Sequence, residues 1–195
     1  MLTTPVGEPP HFTLPEDWSP DGRSIVERLV ATSATADDLW IQPLGPDGLP
    51  GNNKPFPYLQ SQFNERNASI SPDGKWCAYT SDETGRYEVY VQSFPAPERK
   101  IQISADGGDR ARWSRDGKEI FFIGTGSKMM AVPIHAGASI DAGKPAALFD
   151  TRIGKGFNNR FDVTKDGRFL IPVQPQGSSA SALTVLVNWT ASLKR

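Results

Sequence analysis

Trp113-Ser114-Arg115-Asp116-Gly117-Lys118-Glu119-Ile120-Phe121-Phe122 decides how this chain is read, because it is one of four such stretches. Trp18-Ser19-Pro20-Asp21-Gly22-Arg23, Ile70-Ser71-Pro72-Asp73-Gly74-Lys75-Trp76 and Val163-Thr164-Lys165-Asp166-Gly167-Arg168-Phe169 repeat the same order. In each, an apolar residue is followed by a hydroxyl residue, then Pro or a base, then Asp-Gly-Lys/Arg. The aspartates stand 52, 43 and 50 residues apart. A period of that size belongs to solenoids, propellers and arrays.

Ser-Pro-Asp-Gly suits a type I turn: Ser at its first position, Pro presetting φ at the second, Gly free to take φ > 0 at the end. Such a turn joins two strands through a short loop. The flanks read as strand: Ala68-Ser69-Ile70 and Ala111-Arg112-Trp113 before the turn, Trp76–Thr80 and Ile120–Ile123 after it. Each Asp-Gly is therefore expected at the corner between the first and second strands of a repeated sheet. Asp21, Asp73, Asp116 and Asp166 read as turn formers rather than catalysts.

The 195 residues suffice for one domain with a sizeable core. Lys plus Arg number 21 and Asp plus Glu 22, so the charge balance makes no case for nucleic acid or an anionic membrane as partner. The 18 Gly and 17 Pro suit a turn-rich all-β chain, and the 5 Trp and 10 Phe supply side chains that pack sheet faces. The single cysteine, Cys77, leaves no internal disulfide and no Cys-based metal site, and its place in an expected inner strand reads as a buried structural thiol. His11 and His135 are too few for a His-rich metal site. No apolar run reaches membrane-spanning length. The N-terminal residues lack the basic start and apolar run of a signal peptide. Any export is expected to depend on something upstream.

Residues 1–11 are Pro-rich and read as a loose arm. Unit one is expected over about 12–60, with strands at Phe12–Trp18, Ser24–Ala31, Asp38–Leu44 and Pro55–Gln60. Pro55 and Pro57 make the last an edge strand. Unit two covers about 64–105, with an alternating third strand Tyr87–Phe94 and a fourth at Arg99–Ser104. Unit three covers about 109–151, its third strand Lys128–Ile134 and its fourth Ala146–Phe149. Unit four covers about 158–189, with strands at Arg160–Val163, Arg168–Pro172 and Leu183–Trp189 and no fourth strand. No long segment has helical period, so helix is expected to be scarce.

Four strands per unit and four units predict an all-β fold, a β-propeller with four blades of four antiparallel strands, the last incomplete. The repeats, with Ser-Pro-Asp-Gly-Arg/Lys closing the first strand, resemble the TolB-type, WD-repeat-like propeller family. The ending Leu186–Arg195 is similar to the close of the propeller found C-terminal to some bacterial serine/threonine kinase domains. No Gly-rich loop and no His-Arg-Asp stretch of a kinase is present. Arg115 and Lys165 depart from the family pattern by replacing the turn Pro. The resemblance implies a bacterial sensor, signalling or scaffold module working in the periplasm or otherwise outside the cytoplasm.

Members of that family usually carry more than four blades, and an open propeller leaves two blade faces and a strand edge unsatisfied. Three outcomes stay open: four blades close tightly, a second copy of the chain completes a ring of eight, or further blades of a longer polypeptide do so.

Ligands are expected at a channel mouth, where loops lead into the first strands. There Asn64, Arg66, Arg110, Arg112, Asn158, Asn159 and Arg160 would offer donors to a carboxylate or phosphate of a small molecule or protein partner. The competing reading pairs them with Glu65, Asp109 and Asp162 as solvated loop charges. For catalysis the sequence is thin. Gly124-Thr125-Gly126-Ser127-Lys128 lies in an expected hairpin turn, not between strand and helix, which argues against a phosphate loop. His135, Ser139 and Asp141 are the one set that would fit ester or lactone hydrolysis. Asp37-Asp38 is a poor cage for calcium. No cofactor motif is present. The function expected is therefore a non-catalytic binding propeller, with a propeller hydrolase as the alternative.

Overall fold

A computed structural model describes residues 12–31, 36–137, 139–153 and 160–173. The arm 1–11, the strand expected at 183–189 and the ending 190–195 lie outside them, as do Asn158 and Asn159. Each unit begins as the sequence requires. Blade 1 is an antiparallel sheet of β1 (Thr13–Trp18), β2 (Ser24–Leu29), β3 (Asp38–Pro43) and β4 (Phe56–Leu59), paired in that order. Pro57 falls in β4, at the edge, where the missing N–H leaves no gap inside the ladder. Blade 2 repeats the order with β5 (Glu65–Ile70), β6 (Trp76–Ser81), β7 (Glu88–Ser93) and β8 (Lys100–Gln102).

Blade 3 holds β9 (Gly108–Trp113), β10 (Glu119–Gly124), β11 (Lys128–Ala136), β12 (Ile140–Ala142) and β13 (Ala146–Asp150). The fifth strand is an addition the sequence reading did not foresee. β11 runs past the blade, and its outer end pairs with β12 while its inner end pairs with β13. Blade 4 shows β14 (Asp162–Val163) against β15 (Phe169–Leu170). Among the described residues the only helical segment is the 3-10 turn Thr125–Ser127, which sits in the β10–β11 connection where a hairpin turn was expected.

The four corners share one hydrogen-bond pattern. The hydroxyl donates to the aspartate (Ser19 Oγ to Asp21 Oδ1 at 2.7 Å, Ser71 to Asp73 at 2.6 Å, Ser114 to Asp116 at 2.7 Å, and Thr164 to Asp166). The same hydroxyl oxygen accepts the amide that opens the second strand. The hydroxyl's bond first, then the Arg23 amide on Asp21, the Lys118 amide on Asp116 and the Arg168 side chain on Asp166, hold these three carboxyls below the usual range. The aspartates are consumed by turn geometry, as their sequence context demands.

Apolar clusters fill the spaces between successive blades. Val26, Leu39, Ile41 and Tyr58 meet Ile70, Cys77, Tyr79 and Tyr90 between blades 1 and 2. Trp76, Val89 and Val91 meet Trp113, Ile120 and Phe122 between blades 2 and 3. Phe121, Ile123 and Met129 meet Phe161, Val163 and Phe169 between blades 3 and 4. The sheets of blades 2 and 3 are buried on both faces, so their inner strands are apolar in runs rather than in strict alternation (β6 and the middle of β10).

Candidate functional site

The first strand of each of blades 1–3 carries an extra residue at one repeat position. The register slips at Glu16 in β1, at Asn67-Ala68 in β5 and at Arg110-Ala111 in β9. Asn67 (φ 57) and Arg110 (φ 58) both take the left-handed region there. Asn tolerates that region; Arg at such a φ costs about 1 kcal/mol. A bulge re-aims the next side chain and is commonly placed beside a site.

In blades 1–3 the bulge directly precedes the residue four before the turn aspartate, Asp17, Ser69 and Arg112, and Asp162 holds the same repeat position in blade 4. All four line one cavity of about 650 Å³. Trp18, Pro20, Pro72, Arg115, Arg160 and Leu170 also border it. The turn residues in that lining place the cavity at the Asp-Gly end of the channel. The rim expected from the sequence is at the other end, where the chain enters the first strands.

That difference divides the expected residues. Arg66 is taken up at the entry end: it pairs with Asp109 at 3.2 Å and lies 3.6 Å over the Tyr87 ring. Asn67 Nδ2 donates to the same Asp109 at 2.7 Å. Asn64 donates through both nitrogens to Asp82 and accepts the Asp37 amide. The Arg110 guanidinium lies 4.0 Å from Asp109. Of the expected residues that are described, only Arg112 and Arg160 reach the cavity. Asp17 and Ser69 escaped the sequence reading, and Asp162 entered it only as a loop charge, although aligning the four repeats on Asp-Gly would have found all three.

The charges at the cavity are mostly accounted for. Arg160 crosses to blade 1 and pairs with Glu16, donating also to its carbonyl at 3.2 Å. Glu16 is buried and faces Arg28 Nε at 3.3 Å, and Arg28 in turn meets Asp37 at 3.3 Å. Burial pushes the Glu16 carboxyl up, and Arg160 and then Arg28 pull it back. Arg115 pairs with Asp162 at 3.4 Å and donates to the Val163 carbonyl at 3.2 Å. Asp17 accepts the amides of Trp18 and Ile70.

Arg112 is different. Its guanidinium donates to two main-chain carbonyls, Ala111 at 3.0 Å and Ala68 at 3.4 Å, and among the described residues it has no carboxylate partner. Burial first, and the neighbouring Arg160 second, push its guanidinium below the usual range, while Asp17, Glu16 and Asp162 pull it back. Arg stays protonated in proteins, so the cation is held largely desolvated, with carboxylates near it but none hydrogen-bonded to it among the described residues.

These features stand on a recognisable frame. A TolB from Acinetobacter baumannii superposes with a TM-score of 0.60 at 21% identity, over 86% of this chain and 39% of that one. A candidate TolB from Agrobacterium tumefaciens gives 0.52 at 18%, over 74% of this chain and 50% of that one. The fold is that of a TolB-type β-propeller. A candidate 6-phosphogluconolactonase from Bacteroides uniformis gives 0.51 at 20% identity, over 84% of this chain and 47% of that one. The chain spans about two-fifths to half the length of these three proteins. No family model matches the sequence.

On this TolB-type frame His135, Ser139 and Asp141 sit on the outer β11–β12 hairpin. The register sets His135 opposite Asp141, but all three are exposed, and among the described residues no hydrogen bond joins their side chains. Asp37 is held by Arg28 and the Ala31 amide, and Asp38 by Gln60. No group of three or more metal-ligating side chains occurs among the described residues. None of their helices is long and apolar enough to cross a membrane.

Proposed function

We propose that this propeller is a non-catalytic binding module that takes a carboxylate or phosphate group at the Asp-Gly end of its channel, on Arg112. The observation that carries this reading is the Arg112 guanidinium, half-buried at the wall of a 650 Å³ cavity and hydrogen-bonded, among the described residues, to carbonyls and to no carboxylate. A ligand carboxylate or phosphate supplies the missing acceptors, in the bidentate form that Arg suits. Arg115 and Arg160 bring further positive potential to the same wall, while their own carboxylate partners hold them in place. A sensor or scaffold role in a larger bacterial protein fits a site of this kind. A hydrolase built on His135 would rest on three exposed residues with no mutual hydrogen bond and on no other feature.

Isothermal calorimetry and thermal shift with phosphate, citrate and small carboxylates test this. At least one anion should bind and raise the melting temperature, and Arg112→Gln should abolish the effect. Binding that survives Arg112→Gln, or the absence of any binding, rejects the assignment.

A further inference from the structure

We propose that the anion taken at the Asp-Gly end of the channel is carried on a flat apolar ring, as in an aryl carboxylate or aryl phosphate, and that the ring lies on the Trp18 indole. The inference rests on Arg112 as the anchor of the charge and adds what the body of the ligand must be.

Trp18 is the odd member of its repeat position. Three residues before the turn aspartate, Ile70, Trp113 and Val163 are 6%, 6% and 3% exposed, each in an apolar cluster between blades. Trp18 pairs with Ile25 as Trp113 pairs with Ile120, yet it is 53% exposed. Its indole folds over its own turn, with Nε1 3.9 Å from where a Cβ on Gly22 would lie. A single exposed apolar side chain calls for no explanation. Here two of them meet at one cavity. Leu170, paired with Asp162 in blade 4, is 40% exposed and borders the same space as Trp18. The other large apolar side chains exposed among the described residues, Phe12, Leu49 and Phe56, do not line it.

Proline rings extend that apolar wall. Pro20 sits 3.9 Å from where a Cβ on Gly74 would lie, and Pro72 sits 3.6 Å from the equivalent point on Gly117. Each therefore packs on the corner of the next blade, and both border the cavity, as does Pro172. Indole and pyrrolidine faces are stiff, so covering them immobilises little that was mobile. An aromatic ring stacks on such a face and gains more than its buried area alone supplies. A volume of about 650 Å³ is ample for a small molecule of this kind.

The polar part of the wall argues against a hydroxyl-rich body. Each sugar hydroxyl brings a proton that needs an acceptor once water is displaced. The acceptors at the cavity are already engaged. Asp17 takes the amides of Trp18 and Ile70, and Asp162 takes the Val163 amide at 2.8 Å and the Arg115 guanidinium. Ser114 Oγ accepts the Glu119 amide. The carbonyls of Ala68, Ser69 and Val163 accept from Arg112, Trp113 and Arg115. The arginines donate and cannot accept. The site answers one charged group and, beyond it, apolar surface.

Calorimetry with naphthoate, naphthyl phosphate, hexanoate and gluconate on the 195-residue chain tests this. The two naphthyl anions should bind on the order of tenfold more tightly than hexanoate or gluconate. Trp18→Ala should remove that margin and Trp18→Phe should keep part of it, both with unchanged far-UV dichroism, and Arg112→Gln should abolish binding of every anion. Hexanoate or gluconate binding as tightly as the naphthyl anions overturns the inference, and leaves Arg112 as the anchor where Arg112→Gln still abolishes binding. Naphthyl binding that Trp18→Ala does not weaken also overturns it. Naphthyl binding that survives Arg112→Gln but not Trp18→Ala rejects the anchor and upholds the ring on Trp18. If none of these anions binds, both fail.

Discussion

The Asp17 carboxylate accepts the main-chain amide of Ile70 through Oδ2 at 2.7 Å, tying the first strands of blades 1 and 2 across 53 residues of sequence. Oδ1 accepts the amide of Trp18. The pair is a joint between blades that no side chain of blade 2 provides. Asp17→Ala leaves a part-buried amide without an acceptor and should cost about 1–3 kcal/mol in denaturant unfolding. Asp17→Asn keeps an acceptor oxygen and should recover most of that loss. Equal destabilisation by the two would show that the charge, not the hydrogen bond, holds the joint.

The corner hydroxyls invite a parallel test. Ser71 Oγ donates to Asp73 and accepts the buried Trp76 amide at 3.0 Å. Ser71→Ala removes both bonds at once. It should lower stability by about 1–2 kcal/mol, with Ser71→Thr close to neutral because Thr164 fills the same role in blade 4. A neutral Ser71→Ala in urea titration would mean that backbone geometry alone closes the corner.

The corners were legible in the sequence because their chemistry is local: the hydroxyl, the aspartate and the glycine settle the turn within five residues. The strands beside them followed from alternation and from β-branched and aromatic content. The cavity wall was legible only in part. Arg112 and Arg160 stood out as bases near the first strands, but nothing local to Asp17, Ser69 or Asp162 reveals that they line one cavity. Which end of the channel holds the cavity depends on side-chain lengths meeting from four blades, and no single strand encodes that. β12 was missed for a similar reason, since Ile140–Ala142 is a strand only because β11 overruns its blade.

Glu65 opens β5 with a buried carboxyl. Ser61 Oγ donates to Oε1 at 2.5 Å, while Oε2 has no hydrogen-bond partner among the described residues. Burial pushes its pKa from 4.5 up to about 7; Asp38 and Asp82 push the same way, and the Ser61 hydrogen bond and Lys100 oppose. The folded pKa exceeds the unfolded one, so protonation favours the fold. The stability from this group is fully present below about pH 4.5 and is lost as pH rises through about 7. Glu65→Gln should remove that dependence: relative to the parent, the variant gains stability between pH 5 and 8, on the order of 2–3 kcal/mol at most. A parent and variant with parallel melting-temperature profiles over that range would show that Glu65 ionises freely in the fold.

Cys77 offers a probe of the blade 1–2 joint. Its side chain is wholly buried in the cluster with Val26, Leu39 and Tyr79, and burial, with Asp17 next, drives the thiol well above the ordinary range. The reactive species is the thiolate, so attack by a disulfide reagent requires the joint to open. The labelling rate under native conditions should fall far below that of the unfolded chain and rise steeply with denaturant. Because Asp17 fastens that joint, Asp17→Ala should speed labelling by roughly the factor by which it lowers the opening free energy, about tenfold per 1.4 kcal/mol. Tyr58, which donates to the Ser93 carbonyl at 2.9 Å across the same joint, gives an independent lever: Tyr58→Phe should speed labelling too, by a smaller factor. Rapid labelling of the parent in the absence of denaturant would mean that blades 1 and 2 separate without global unfolding, and the channel wall they share would then be a moving one.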